Sequence, residues 1–133
     1  MGLVERDYVM RLVKQIAELL ARALKLQLQK KHDEAAEVLE AGCLSLFGMD
    51  WKTLAWADSA SAADLLKDAK RVSLFASLVE ERAKLHVAAG EPAEAESKFQ
   101  HAYELYREAK DAAGAARCEG RFDRARLPAK YLG

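Results

Sequence analysis

The run His86-Val87-Ala88-Ala89-Gly90-Glu91-Pro92-Ala93-Glu94-Ala95 decides the fold. Before it, Leu74, Phe75, Leu78, Val79, Ala83, Leu85 and His86 recur at helical spacing, which predicts a helix from about 70 to 89 with one buried side. Gly90 ends that helix, since glycine tolerates the left-handed conformation a helix terminus needs. Pro92 belongs in the first turn of the next helix, where its missing N–H costs nothing. Ala95, Phe99, Ala102, Tyr103 and Tyr106 then carry a second helix to about Lys110. Two helices joined by so short a turn lie antiparallel. The stretch 70–110 therefore reads as an αα-hairpin.

Working outward, the same text recurs sixty residues earlier. Leu19, Arg22 and Ala23 match Val79, Arg82 and Ala83, while Glu34, Ala35, Leu39 and Gly42 match Glu94, Ala95, Phe99 and Ala102. A first hairpin is expected over 7–48. Its opening helix, capped by Asp7, runs to about Gln29. It has two adjacent apolar stripes: Leu12, Ile16, Leu19, Ala23 and Leu26, then Val9, Val13, Leu20, Leu24 and Leu28. One stripe suffices to pack on a hairpin partner. Asp33 starts the second helix and Gly48 ends it.

Between the hairpins, 49–70 is a connector. Asp50 caps a short helix, Asp58-Ser59-Ala60-Ser61 reads as a turn, and Ser61 with Asp64 resembles a capping box for a helix over 62–67. Trp51, Leu54, Trp56, Leu65 and Leu66 are too apolar to leave in water, so the connector should pack on the core. A last helix is expected from Ala112 to about Ala125, stopped by Pro128, with 111–133 forming the C-terminal helix and tail. The whole chain, 1–133, reads as a single all-α domain.

Composition agrees. Alanine, leucine, glutamate, lysine and arginine dominate, and only 2 prolines and 7 glycines punctuate 133 residues, which argues against barrels, sandwiches and βαβ units. The 21 basic and 21 acidic side chains cancel, so no global charge draws the chain to nucleic acid or an anionic membrane. The ends are basic and the middle acidic: residues 1–31 carry seven basic and three acidic groups, residues 32–68 two and eight. Cys43 and Cys118 have no metal-ligand spacing and read as buried, reduced thiols. The start lacks an apolar secretory core and no run approaches a membrane span, so the cytoplasm is the expected location.

The hairpin 70–110 resembles a tetratricopeptide repeat. Gly90 takes the turn glycine, Ala83, Ala95 and Ala102 the small crossing residues, and Phe99 the aromatic. It departs from that family at Arg82, where a large apolar residue is usual, and it lacks the closing proline. In the first unit Lys30 replaces the turn glycine. A tandem array repeats at about 34 residues, so the spacing here implies an insertion, which coincides with the connector. The opening Asp7-Tyr8-Val9-Met10-Arg11, together with Gly48-Met49-Asp50, also resembles a family of small uncharacterised bacterial helical proteins. That resemblance, over roughly 5–110, implies a tetratricopeptide-like C-terminal hairpin and brings no activity.

Catalytic and metal motifs are missing. The residues three before His32, His86 and His101 are Gln29, Ala83 and Lys98, so the Glu-x-x-His of a di-iron bundle is absent. No Gly-x-Ser-x-Gly, glycine-rich phosphate loop or Cys–His signature occurs. An enzyme is not expected, and neither a cofactor nor a metal is implied. His32 reads as a turn residue, His86 as a satisfied boundary histidine, and His101 as a surface pair with Glu104. Arg117, Arg121 and Arg124 would share a helix face, with Arg126, Lys130, Phe122 and Tyr131 beside them. This gives a lesser alternative of nucleic-acid binding, and a small-ligand-binding helical domain is another.

The leading expectation is a protein–protein interaction or self-association module. By analogy with repeat proteins, the partner surface would use Leu20, Leu24, Gln27 and Leu28 of the first helix, then Ser77, Glu80, Lys84 and Val87. Asparagine is absent from the chain, so a clamp of asparagine amides on a peptide carboxylate is not supported. The spare stripe of the first helix points to a homodimer.

Overall fold

A computed structural model describes the backbone of residues 2–133 and the side chains of residues 6–133. The protein is all-α. Among the described residues seven α-helices follow in order: α1 Gly2–Leu28, α2 His32–Phe47, α3 Trp51–Trp56, α4 Ser59–Leu66, α5 Ala69–Ala88, α6 Pro92–Glu108 and α7 Ala112–Cys118. Two 3-10 turns, Arg124–Arg126 and Ala129–Tyr131, close the chain, and there is no strand among the described residues.

Four aspartates start four helices. The carboxylate of Asp50 accepts the Thr53 N–H at 2.8 Å, Asp58 that of Ser61 at 2.9 Å, Asp68 that of Lys70 at 2.7 Å, and Asp111 that of Gly114 at 3.0 Å. Each satisfies a donor with no partner inside the helix. Pro92 occupies the first turn of α6. At the ends of α1, α5 and α6 the same bend recurs. Lys31 N–H reaches back to Leu26 O, Glu91 N–H to His86 O and Asp111 N–H to Tyr106 O, with Lys30, Gly90 and Lys110 at positive φ.

α1 packs on α2, and α5 on α6, forming two hairpins. α5 also lies against both helices of the first hairpin, and α7 covers α6 and touches α5. This order is compatible with a tetratricopeptide-like arrangement. The core joins Leu12, Ile16, Leu19 and Ala23 of α1 to Leu39, Cys43 and Phe47 of α2, Phe75, Leu78 and Val79 of α5, and Phe99, Tyr103 and Tyr106 of α6. Burial pushes both thiols up, to about 12, at Cys43 and Cys118; both are free.

Several boundaries differ from expectation. α1 begins at Gly2, so Asp7 lies inside the helix and caps nothing. α2 begins at His32 without a side-chain cap, and Asp33 sits in its first turn beside the positive end of the dipole. Residues 59–61, read as a turn, are the first turn of α4, because Asp58 supplies the cap expected of Ser61. The connector packs on α2, α5 and α6, burying Trp51, Leu54 and Leu66, but Trp56 is 81% exposed and Leu65 is exposed as well, each on the side of its short helix turned away from the core. α7 stops at Cys118, well short of Ala125: Gly120 takes φ +77° and the chain turns away. Phe122 then packs on Tyr103, with ring centroids 5.2 Å apart.

Candidate interaction surface

α1 has work on one side only. Leu12, Ile16, Leu19 and Ala23 are buried, whereas Met10 (59% exposed), Val13 (46%), Leu24 (53%) and Leu28 (76%) lie open on the next face of the same helix. Ala17 is exposed between them, and Leu20 and Gln27 are half-buried at its edge. Met10, Val13, Ala17, Leu20, Leu24 and Gln27 alternate at spacings of three and four, the rhythm of a seam between two helices. Helical spacing alone places Leu20, Leu24, Gln27 and Leu28 on this face and Val13 in its stripe, and it misses Met10. The connector, the other cover open to this stripe, packs on α2, α5 and α6 and leaves Leu24 and Leu28 exposed.

The α5 half of the expected surface divides. Lys84 and Val87 are exposed. The Ser77 hydroxyl donates back to Leu74 O at 2.6 Å and is only part-exposed. Glu80 is not on an open groove at all. It is 5% exposed, under α7. Tyr106 Oη donates to its Oε1 at 2.7 Å, Arg117 Nε lies 3.3 Å from Oε2, and Lys84 Nζ 3.7 Å from Oε2. The carboxylate holds the Arg117 guanidinium protonated well above its ordinary range, and burial together with Glu80 raises the Tyr106 phenol. A helix over residues 112–118 sits on α5 and α6 and turns a groove position into a buried carboxylate paired with a half-exposed arginine.

The C-terminal cations form no common helical face, since α7 ends before Arg121 and Arg124. Each has a partner within the chain. Arg117 meets Glu80, Arg124 meets Glu119 at 3.8 Å, Arg126 meets Glu96 at 3.3 Å and Lys130 meets Glu108 at 2.6 Å. Arg121 stacks over Phe99, 4.3 Å from the ring centroid. Tyr131 donates to Glu108. These contacts strap the tail across α6.

A polar hollow of about 260 Å³ lies between the α3–α4 turn and α6, lined by Asp58, Ser59, Ser97, Lys98, His101 and Glu104 among others. Glu104 accepts from Ser59 Oγ at 2.7 Å and from Gln100 Nε2 at 3.0 Å. His101 is therefore not the surface partner of Glu104. Its ring stands edge-on to Phe75, at 6.5 Å, with Nε2 buried and without a hydrogen-bond partner. Burial first, and Lys98 second, lower its imidazole to about 4. His86 Nδ1 lies 2.9 Å from Glu91 Oε1, a satisfied boundary position. His32 opens α2.

Among the described residues no three His, Cys, Asp or Glu side chains gather as a metal site, and no helix is long and apolar enough to cross a membrane. No protein-family model, curated protein or solved structure matches the chain.

Proposed function

We propose that the protein is a protein–protein interaction module of the tetratricopeptide-like kind and that the open face of α1 is its contact surface. One observation carries this reading: Met10, Val13, Leu24 and Leu28 form a contiguous apolar row in water on a helix whose other apolar row already serves the core. An apolar row of that length left in water marks an interface. Lys84 and Val87 of α5 are exposed as secondary contacts. The nucleic-acid alternative loses its support, because the C-terminal cations it needs are engaged with carboxylates or an aromatic ring of the same chain.

The test is a photo-crosslinking side chain placed at Leu24 in the full chain within native cells, with the exposed Glu94 as control position. Protein adducts at position 24, absent at 94 and lost when Leu28→Glu is added, are expected. Equal labelling at both positions, or none at 24, overturns the reading. The mass of the adduct separates a second copy of this chain from another protein.

A further inference from the structure

We propose that the face of α6 beneath the C-terminal tail is a peptide-binding site, filled in cis by residues 121–133 and able to take a separate peptide of the same pattern when that strap lifts. The site lies on a different helix from the open face of α1, so the two readings stand or fall separately.

The way α6 holds the tail carries the inference. Between residues 121–133 and the rest of the described chain, the one backbone–backbone hydrogen bond is Arg121 N–H to Cys118 O, at the end of α7. Beyond it, side chains of α6 grip main-chain groups of the tail. Glu96 Oε1 accepts from Asp123 N–H at 3.1 Å, and Gln100 Nε2 donates to Arg126 O at 3.3 Å. Arg107 donates to Tyr131 O at 3.0 Å and to Gly133 O at 3.2 Å. Its guanidinium is in turn set by Tyr103 Oη, which accepts from it at 2.8 Å. Positions 96, 100 and 107 share one helical face. Main-chain groups are common to every peptide, so this row holds a segment by its backbone and leaves selection to the side chains, as sites for linear peptides do.

Leu127 and Tyr131, four residues apart, are the deep anchors, 6% and 5% exposed. Phe122 lies against Tyr103, and Arg121 over Phe99. Lys130 meets Glu108 at 2.6 Å, with Asp58 and Asp64 adding to the negative charge around it. The partner that fits is therefore a linear basic segment carrying an aliphatic residue and, four places on, a tyrosine preceded by lysine.

The strap is separable from the helices it covers. Gly120, at φ +77°, is the joint between it and α7. Its only regular structure is two 3-10 turns of three residues each. Arg124, Arg126 and Lys130 are each more than half exposed in their ion pairs, and exposed pairs add little stability. α5, α6 and α7 are joined without the strap, through Glu80, Tyr106 and Arg117. Its release is thus a local opening that leaves the helices in place.

Tethering gives the tail an effective concentration of roughly millimolar order at its own site, so a peptide in trans should bind the native chain poorly. In the full chain, Leu127→Ala together with Tyr131→Ala removes both anchors and leaves α6 unaltered; circular dichroism checks the fold. A fluorescent synthetic peptide of residues 119–133 should bind this variant at least about tenfold more tightly than it binds the native chain in anisotropy titrations. Adding Arg107→Ala to the variant, or both alanines to the peptide, should weaken that binding roughly tenfold. Hydrogen exchange on the native chain gives a reading that needs no variant. The amides of Leu127, Tyr131 and Leu132 should exchange about a hundredfold faster than those in the middle of α6. Binding that is absent up to about 1 mM peptide, equal for native and variant chains, or indifferent to Arg107→Ala overturns the site. Strap amides that exchange as slowly as α6 overturn its release.

Discussion

Tyr106 donates its phenolic hydrogen to the buried Glu80 carboxylate across 2.7 Å, tying α6 to α5 underneath α7. Arg117 completes the arrangement from α7, over the Tyr106 ring at 5.4 Å and beside Glu80 at 3.3 Å. Three helices are thus joined at one acidic side chain. Tyr106→Phe deletes only the hydroxyl, yet it leaves a buried carboxylate short of a donor. A loss of about 1–3 kcal/mol is expected in urea unfolding. Glu80→Gln should cost less than Glu80→Ala, since the amide oxygen can still accept from Tyr106.

Two glycines that face neighbouring side chains should answer differently to alanine. A Cβ on Gly114 would collide with the ring of Tyr106, the residue that holds Glu80. A rigid aromatic cannot retreat, so α7 must lift, and Gly114→Ala should destabilise by about 1–3 kcal/mol. A Cβ on Gly42 would meet Leu19 Cδ2 at 2.6 Å, the far end of a flexible chain. There a rotamer change relieves the clash while alanine favours the helix, so Gly42→Ala should stay within about 1 kcal/mol of native. Thermal melts of the pair provide the comparison.

Ala95 is 3% exposed on α6, in the core with Ala83 of α5. Ala95→Leu adds three carbons to a filled site and should cost about 1–3 kcal/mol. An unchanged melting temperature would mean that the crossing of α5 and α6 has room to spare.

His101 should make the fold sensitive to mild acid. In the unfolded chain its imidazole takes a proton near the ordinary value of 6.5, but in the fold only near about 4. Below 6.5 the unfolded state therefore binds a proton that the folded state refuses, and stability falls as the pH drops towards 4. Over that window the loss approaches about 3 kcal/mol, with none added by this group at lower pH. The lowered carboxyls of Asp111 and Glu108 act further down, since their contribution disappears only as those groups protonate. His101→Gln should flatten the stability profile between 6.5 and 4 and leave the steeper acid limb, as read by urea titrations at stepped pH.

The second hairpin is legible in the letters because each signal in it is local. Gly90 does take a left-handed φ of 75°, and Pro92 does open α6. The aspartates at 50, 58, 68 and 111 are equally local signals, yet only Asp50 is read as a cap from the letters, and Ser61 masks Asp58, because a serine followed by an acid looks like a cap in the letters alone. What escapes the letters is long-range. Ala112 to Ala125 is rich in helix formers, and of its two glycines Gly114 stays inside α7 while Gly120 marks the bend that lets Phe122 reach Tyr103. Glu80 looks like any acid on a helix surface until α7 folds over it. The stripe on α1 is visible from spacing, but its freedom from the connector depends on where α3 and α4 settle.

The bend that ends α1, α5 and α6 is built once on glycine and twice on lysine, with φ of 75° at Gly90 against 61° at Lys30 and 57° at Lys110. A side chain in that conformation carries a steric penalty that glycine escapes, so the helices on either side, and not the residue between them, hold the turn in shape. The corners consequently do not require glycine, although they disfavour bulky side chains. Glycine at residue 30 or 110 should be a mild gain and a β-branched side chain a loss, while the architecture stays put. A repeat that keeps its form while discarding its punctuation fades from sequence much sooner than it fades from structure.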